Sequence, residues 1–187
     1  MLGSDMRNRG DERVPTQDPV RVMIVDDHRV VRSGLRFCLL AFEDLELVAE
    51  VESGEEALSR CEQLEGSASM PEVILMDMVM PDVNGAAATR AILEAYPGVH
   101  ILVLTGFDTH ELIHEALDAG ATGYLLKNAS IDELARAIRA ARNGRVTLAP
   151  EVIKVLAEDS SPPDNGGYEG TEACYSDCTE AAVPTAK

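Results

Sequence analysis

Short apolar runs alternate with segments of helical periodicity along the middle of this 187-residue chain. The first, third and fourth runs are almost entirely aliphatic, as expected of central strands that are covered on both faces of a sheet. Strand-length runs that alternate with helices of about 12 residues indicate parallel strands joined by crossover helices. We therefore predict an α/β fold with a doubly wound parallel sheet and five strands, at 22–25, 45–51, 73–76, 100–104 and 123–126.

Two local signals mark helix ends on either side of the fifth predicted strand. Ser130 and Glu133 form the S-x-x-E pattern of a capping box, in which each residue satisfies a backbone N–H at the start of a helix. Gly120 follows a helical segment and is suited to the left-handed conformation that ends many helices. These signals predict one helix before the fifth strand and another after it.

The apolar pattern is confined to the middle of the chain. Residues 1–19 are polar and contain two prolines, so we predict a flexible arm there. Residues 20–148 carry the strand-helix repeat and form the predicted domain, and residues 149–158 can add one further helix. Beyond Leu156 the chain has no Leu, Ile, Met or Phe, which leaves too little apolar area to offset the entropy of ordering. We predict a disordered acidic tail over 159–187.

The chain is strongly acidic, with 33 Asp and Glu against 16 Lys and Arg and a formal net charge of −17. Nucleic-acid binding requires clustered Lys and Arg that neutralise phosphates, so we expect no direct contact of this chain with nucleic acid. No apolar run approaches the roughly 18 residues that span a bilayer, and the N-terminus lacks the apolar core of a secretory signal. We expect a cytoplasmic protein without a membrane segment.

The four cysteines are compatible with a reducing compartment. Cys38 and Cys61 lie in apolar helical patterns, where a reduced thiol packs as a small hydrophobic group. Cys174 and Cys178 form a C-x3-C pair in the polar tail, without a second pair or a nearby histidine. That pattern is a weak signal for a metal site or a disulfide, and the role of the pair stays open.

Polar residues stand at the ends of the predicted strands. Asp26 and Asp27 follow the first strand, Asp77 ends the third, Thr105 ends the fourth and Lys127 ends the fifth. Ligands of an open parallel sheet bind at the carboxyl ends of its strands, so these side chains are expected to lie together. Three clustered carboxylates repel one another, which makes a bound cation the economical interpretation, and ligation by oxygen alone favours Mg²⁺.

Such a site is arranged for phosphoryl chemistry. A cation with open positions can meet a phosphate, a threonine hydroxyl can donate to a phosphoryl oxygen, and a lysine can add positive charge. One of the carboxylates can itself be the nucleophile that forms an aspartyl phosphate. Taken singly, each residue is also explained as a helix cap, a turn residue or a solvated surface charge.

Four segments carry a family resemblance: MIVDDH, VILMDMVMPDVNG, LVLTGFD and GATGYLLKNAS. In order and spacing they resemble the receiver domain of two-component response regulators over about residues 20–158, and the DDH, VVRSGLR and AGATGYLLK segments look most like the NarL/FixJ subfamily. The resemblance implies a flavodoxin-like doubly wound (βα)5 fold, with a parallel five-stranded sheet in the order 2-1-3-4-5. It also implies a response regulator of a phosphorelay signal transduction system.

The resemblance assigns roles to the acidic residues. It implies that Asp77 accepts a phosphoryl group from the phosphohistidine of a sensor histidine kinase. It also implies that Mg²⁺ is the cofactor, held by Asp26 and Asp27, with Asp27, Asp77 and the backbone carbonyl of Val79 as its direct protein ligands. The resemblance thus selects Asp77 as the nucleophile. The residues alone do not decide which carboxylate has this role.

The resemblance assigns the remaining strand-end residues to phosphoryl binding and switching. It implies that Thr105 and Lys127 bind the phosphoryl oxygens and respond to their arrival. Tyr124 matches the aromatic position whose ring turns inward when Thr105 moves. A half-buried strand tyrosine without a switch role is the alternative for Tyr124.

His110 and His114 belong to an H-E-x-x-H sequence, the zinc-protease helix motif. Four residues apart on a helix, both imidazoles lie on one face and could chelate zinc. A hydrolase of this kind also needs a third ligand and a peptide cleft, and the segment falls in the fourth crossover helix of the receiver pattern. We interpret the motif as a chance match with two solvent-facing histidines and predict that the chain is not an enzyme.

The sequence leaves two functions possible for this chain. NarL/FixJ-like regulators commonly continue into a helix-turn-helix domain, but the stretch after Pro150 is short and acidic, without a predicted recognition helix. The chain is then either a receiver that switches its surface for a downstream protein partner, or a truncated DNA-binding transcriptional regulator of NarL/FixJ type.

The subfamily also implies a homodimer through the first and fifth helices. Arg136, Arg139 and Arg142 could serve there, or form a solvated basic face.

Overall fold

A computed structural model describes residues 18–81, 84–106 and 109–159 of the chain. These residues form an α/β domain in which strands and helices alternate. The strands, in chain order, are β1 Val20–Val25, β2 Leu45–Val51, β3 Val73–Asp77, β4 His100–Thr105, β5 Gly123–Leu126 and β6 Thr147–Leu148. The helices are α1 Arg29–Leu39, α2 Gly54–Leu64, α3 Gly85–Ala95, α4 His110–Asp118, α5 Ile131–Arg142 and α6 Pro150–Asp159.

The strands form one parallel sheet in the order β2-β1-β3-β4-β5-β6. This order confirms the predicted doubly wound fold and its 2-1-3-4-5 arrangement. Every residue of β3 is buried, as the continuous aliphatic run predicts for a central strand with helices on both faces. The chain reverses its direction of winding between β1 and β3, so the carboxyl ends of these strands border the crevice where ligands bind in such sheets.

The sheet has a sixth strand that the sequence pattern does not predict. β6 is two residues long and pairs in parallel with β5, Gly123 opposite Thr147. A Cβ atom at position 123 would lie 2.8 Å from the carbonyl oxygen of Thr147, so glycine allows the edge of β5 to accept this strand. Two residues are too few to show a periodicity, and the prediction of five strands is corrected to six.

The predicted helix ends are confirmed. The hydroxyl oxygen of Ser130 accepts a hydrogen bond from the N–H of Glu133, and the carboxylate of Glu133 accepts one from the N–H of Ser130. Gly120 follows α4 with a φ of 93°. Local sequence signals thus fix where α4 ends and where α5 begins, and they frame β5 between them.

Much of the two predicted terminal segments lies outside the described residues. This holds for positions 1–17 of the arm and 160–187 of the tail, including Cys174 and Cys178. Helix α6 occupies the segment in which the sequence allows one further helix. In the part of the chain that the structure describes, no helix has the length and apolar character needed to cross a membrane.

Candidate functional site

The carboxyl ends of three strands bring Asp26, Asp77 and Lys127 together. Asp26 follows β1, Asp77 is the last residue of β3, and Lys127 follows β5. Both carboxylates are buried, since Asp26 is 1% and Asp77 3% exposed. Nζ of Lys127 lies 2.6 Å from Oδ2 of Asp26 and 2.7 Å from Oδ2 of Asp77. The structure therefore places these three predicted residues in one cluster.

Backbone groups hold the first oxygen of each buried carboxylate. Oδ1 of Asp26 accepts a hydrogen bond from the N–H of His28 at 2.8 Å, and Oδ1 of Asp77 accepts one from the N–H of Val79 at 3.3 Å. Gly85, the first residue of α3, packs against this end of β3. A Cβ there would lie 2.1 Å from the carbonyl oxygen of Asp77, so a side chain would push α3 away from the site.

The second oxygen of each buried carboxylate contacts the same ammonium group. Oδ2 of Asp26 and Oδ2 of Asp77 share Nζ of Lys127, and hydrogen bonds to both carboxylates raise the pKa of this lysine. Two buried negative charges thus share one positive charge, so the site is suited to bind a further cation.

The cluster carries more negative charge than Lys127 compensates. Burial raises the pKa of Asp77 above its usual value, the hydrogen bond from Lys127 offsets part of this effect, and the charge of Asp26 adds to it. Burial works against the charge of Lys127, but its contacts with Asp26 and Asp77 outweigh burial and raise the pKa of the ammonium group. Both shifts show that the site favours additional positive charge.

Asp27 and His28 extend the cluster towards solvent. Asp26, Asp27, His28 and Asp77 each offer a ligand atom, and these atoms all lie within 4.8 Å of one another. Three carboxylates fit Mg²⁺, a hard cation that takes oxygen ligands, and the sharing of one ammonium by two buried carboxylates supports this fit. The backbone carbonyl of Val79 as a further ligand stays a prediction.

Thr105 and Tyr124 lie inside the fold next to this edge of the sheet. Thr105 ends β4, is completely buried, and its carbonyl oxygen accepts a hydrogen bond from the N–H of Lys127 at 2.8 Å. Tyr124 in β5 is also completely buried, so it is not the half-buried strand tyrosine that the sequence alternative describes. The roles of both residues in phosphoryl binding and switching stay predictions.

Arg32 supports the site and was not predicted from the sequence. This α1 residue is 7% exposed, and its Nη1 donates a hydrogen bond to the carbonyl oxygen of Asp26 at 2.7 Å. Its Nη2 forms an ion pair with Glu52, which follows β2. Arg32 thereby ties the end of β1 to the end of β2. An arginine inside the apolar pattern of α1 was the available signal, because a buried charge needs a partner.

The H-E-x-x-H sequence lies on a separate element. His110 begins α4, His114 lies one turn later, and both are exposed, as expected of solvent-facing histidines. In the described ranges, the group of residues that could hold a metal ion is the one that contains Asp77 and His28. His110 and His114 do not belong to that group.

Comparison with known proteins connects the chain to one family. Residues 22–139 match the family described as the response regulator receiver domain. The chain is 38% identical over 140 residues to the transcriptional regulatory protein LnrK of Bacillus subtilis, which covers 75% of this chain and 61% of LnrK. It is 37% identical over 134 residues to the response regulator protein VraR of Staphylococcus aureus, covering 72% and 62% of the two chains. The chain thus spans less than two thirds of the length of these curated relatives.

Solved structures show the same fold. The response regulator ChrA of a heme-sensing two-component system is 40% identical with a TM-score of 0.63, over 79% of this chain and 68% of ChrA. The signal receiver domain of the putative response regulator NarL from Mycobacterium tuberculosis is 29% identical with a TM-score of 0.63, over 69% of this chain and 100% of that domain. Both matches agree with the parallel sheet described above.

Proposed function

The chain belongs to the response regulator receiver domain family, and from this premise we propose that Asp77 is its phosphoryl acceptor. The chain is homologous to phosphorelay response regulators, whose receivers act with sensor histidine kinases. The observation that carries the assignment is the position of Asp77, buried at the end of β3 with Lys127 on one oxygen and Asp26 beside it. A carboxylate in an excess of negative charge gains most from a nearby cation.

The proposed step is transfer of a phosphoryl group to a carboxylate oxygen. An oxygen of Asp77 forms a bond to phosphorus while the bond from phosphorus to the kinase imidazole breaks, and the imidazole nitrogen leaves with the electron pair. Lys127 is placed to move its hydrogen bond from the carboxylate to a phosphoryl oxygen. Neutralisation of the phosphoryl charge is the chemistry that Mg²⁺ supplies when Asp26, Asp27 and Asp77 hold it.

Thr105 and Tyr124 are the proposed route from the site to the protein surface. Thr105 ends the strand beside β3, and its backbone already binds Lys127. Tyr124 is paired with Val103, two residues before Thr105, in the neighbouring strand. A shift of the Thr105 hydroxyl towards a phosphoryl oxygen would therefore change the packing around the Tyr124 ring, and the altered surface would be read by a downstream protein.

Intact mass after incubation with acetyl phosphate tests the acceptor. We expect one phosphoryl adduct on the wild-type chain in the presence of Mg²⁺ and none after chelation. The variant Asp77→Asn keeps the shape of the side chain but removes the nucleophile, so no adduct is expected. Asp118→Asn, which changes an exposed carboxylate at the end of α4, is the matched control and keeps the adduct. An adduct that persists in Asp77→Asn contradicts the assignment.

We also propose that the chain is not a hydrolase and that it works in the cytoplasm. The exposed histidines of α4 lie apart from the acidic cluster, which supports the interpretation of H-E-x-x-H as a chance match. Cys38 and Cys61 are free thiols, and burial raises the pKa of Cys61 to about 11. Free thiols that persist in a folded domain are typical of a reducing compartment.

The first helix supports a homodimer through α1 and α5. Three apolar side chains of this region are largely exposed: Val30 84%, Phe37 75% and Leu40 75%. Beside them, residues of α1 and α5 line an apolar groove of about 280 Å³. A helix that carries exposed apolar side chains next to an apolar groove is self-complementary, which suits a two-fold contact with a second copy.

Two of the three arginines expected at the dimer contact already have acidic partners within the same chain. Arg139 and Arg142 are held inside one chain, by Asp44 and by Glu72 respectively. Arg136 hydrogen-bonds the carbonyl oxygen of Asp132 on its own helix and remains exposed. The apolar side chains of α1 are therefore the stronger basis for the dimer.

Sedimentation velocity tests the dimer surface. Phe37→Asp places a charge in the proposed contact, and we expect it to weaken dimerisation of the phosphorylated chain by at least about tenfold. Val146→Asp changes an apolar residue that is 67% exposed before β6, and it should leave the dimer intact. Equal dimerisation of the wild type and Phe37→Asp would exclude this surface.

A further inference from the structure

We propose that Arg32 is a positioning residue, whose guanidinium sets how tightly the acidic turn at the end of β1 binds a divalent cation. The proposal rests on the proposed function, because this turn carries Asp26 and Asp27. Arg32 lies in the first turns of α1 and is not itself a ligand. It acts on the cation through the backbone of Asp26.

Arg32 is a charged side chain inside the fold. Its side chain is 8% exposed, although α1 presents Val30 and Phe37 to solvent on its outer face. A buried guanidinium loses the solvation of its charge, and hydrogen bonds together with an opposite charge must replace that solvation. Arg32 has both replacements, so its buried position depends on the contacts that it makes.

The two amino groups of the guanidinium hold the ends of two strands. Nη1 donates a hydrogen bond to the carbonyl oxygen of Asp26 at 2.7 Å, and Nη2 pairs with the carboxylate of Glu52. Glu52 is held in turn, because its backbone N–H donates to the carboxylate of Glu56 in α2 at 2.9 Å. The guanidinium is a planar group with fixed N–H directions, so the position of Glu52 constrains the carbonyl of Asp26.

This contact fixes the peptide group between the two acids of the turn. The carbonyl of Asp26 and the N–H of Asp27 belong to one planar unit. The N–H of Asp26 is also held, since it donates to the carbonyl oxygen of Val51 at 3.3 Å. Both carboxylates extend from this fixed backbone, that of Asp26 inward to Lys127 and that of Asp27 towards solvent.

A fixed peptide group favours cation binding. Two neighbouring carboxylates repel each other, and a freely rotating peptide group between them would let them turn apart. Ligands that are already held in place lose less conformational entropy when an ion binds. Loss of an outer partner of metal ligands typically lowers metal affinity by about 10- to 100-fold. We expect an effect of this size from Arg32.

Arg142 provides a matched control at the opposite end of the sheet. Its Nη1 donates to the carbonyl oxygen of Asp18 at 2.9 Å, and its Nε lies 3.2 Å from the carboxylate of Glu72. Arg32→Met and Arg142→Met thus each remove one bond to a backbone carbonyl and one ion pair. Only the first variant loosens the peptide group between the two acids of the site. An arginine with a merely structural role would leave cation affinity unchanged.

Titration of the full chain with Mg²⁺, followed by nuclear magnetic resonance of the Asp27 and Val79 backbone amides, tests the proposal. We expect Arg32→Met to lower the Mg²⁺ affinity by at least about tenfold and Arg142→Met to change it by less than about twofold. A second measurement needs no metal. The amide of His28 donates to the carboxylate of the held acid, so it should exchange with solvent faster in Arg32→Met than in Arg142→Met.

A second variant decides the case in which Arg32→Met does not fold. Arg32→Lys keeps the positive charge but has one nitrogen for two partners, so its Mg²⁺ affinity should fall by at least about threefold. Wild-type affinity in Arg32→Met, or in Arg32→Lys where Arg32→Met does not fold, would overturn the proposal and leave Asp77 as the acceptor. A wild-type chain whose amides do not respond to Mg²⁺ would overturn it as well. The acetyl phosphate experiment then decides separately whether Asp77 accepts the phosphoryl group.

Discussion

The amino ends and the carboxyl ends of the strands both carry ion pairs, but at the amino end Asp44 and Glu72 each have an arginine partner. There, Arg139 makes two hydrogen bonds to Asp44, at 2.6 and 2.8 Å. Arg21 and Arg142 share Glu72, with closest distances of 3.5 and 3.2 Å. We call these contacts the amino-end pairs. They join α5 to the starts of β2 and β3, and no acid in them lacks a positive partner.

The carboxyl end is built in the opposite way. Asp26, Asp27 and Asp77 lie close together, and the two buried carboxylates, Asp26 and Asp77, share the single ammonium of Lys127. Matched charges hold strands and helices in place. An excess of buried negative charge lowers stability, and folding alone does not require it. The functional end of this domain is therefore recognised by buried negative charge that the protein does not fully compensate.

Removal of Lys127 should give the largest effect. Lys127→Met leaves two buried carboxylates without their ammonium, and we expect the free energy of unfolding to fall by about 3 kcal/mol in urea titrations with a chelator present. Because a cation can replace the ammonium, added Mg²⁺ should restore more stability in this variant than in the wild type. Lys154→Met, an exposed lysine of α6, is the control. An equal loss of stability in both variants would show that the buried carboxylates do not depend on Lys127.

The same change from carboxylate to amide should have opposite signs at the two ends. Asp77→Asn removes a charge from the crowded cluster, and without metal we expect stability to rise by about 1 kcal/mol. Glu72→Gln takes the shared acid from Arg21 and Arg142, and we expect stability to fall by about 1 kcal/mol. Urea titrations at neutral pH measure both. A loss of stability in Asp77→Asn would show that its carboxylate is fully compensated.

The features of the site that follow from the topology of the sheet were predictable from the sequence. Asp26, Asp77 and Lys127 were found because residues at strand ends converge once the strands are parallel. The continuous aliphatic character of the third run also predicts the central position of β3. These conclusions need the positions of residues along the chain and no knowledge of individual rotamers.

The parts that depend on single side chains were not predictable. Arg32 reaches a carbonyl six residues earlier in the chain and an acid twenty residues later, and no periodicity encodes that contact. Arg139 and Arg142 were expected in an interface or in solvent, but they bind acids that directly precede β2 and β3. β6 has only 2 residues, too few to show a hydrophobic pattern in the sequence. Each case depends on where a long side chain or a two-residue segment finds its partner after folding.

The smallest effect belongs to the exposed amino-end pair of Asp44 and Arg139. The hydrogen bonds from Arg139 lower the pKa of Asp44 below its usual value of 3.8. The side chain of Asp44 is 50% and that of Arg139 38% exposed, so solvent screens the pair and Asp44→Asn should cost only about 0.5 kcal/mol at neutral pH. Salt should reduce this difference further.

The sign of the pH dependence follows from the lowered pKa of Asp44. A carboxyl group that binds protons less readily when folded stabilises the fold above its unfolded pKa, and this contribution is lost as pH falls through the folded pKa. The difference between the wild type and Asp44→Asn should therefore persist from neutral pH down to about 4 and vanish in stronger acid. Urea titrations across this range, with the exposed neighbour Glu43→Gln as control, measure it. A difference that grows towards acid would mean that Asp44 is not held by Arg139.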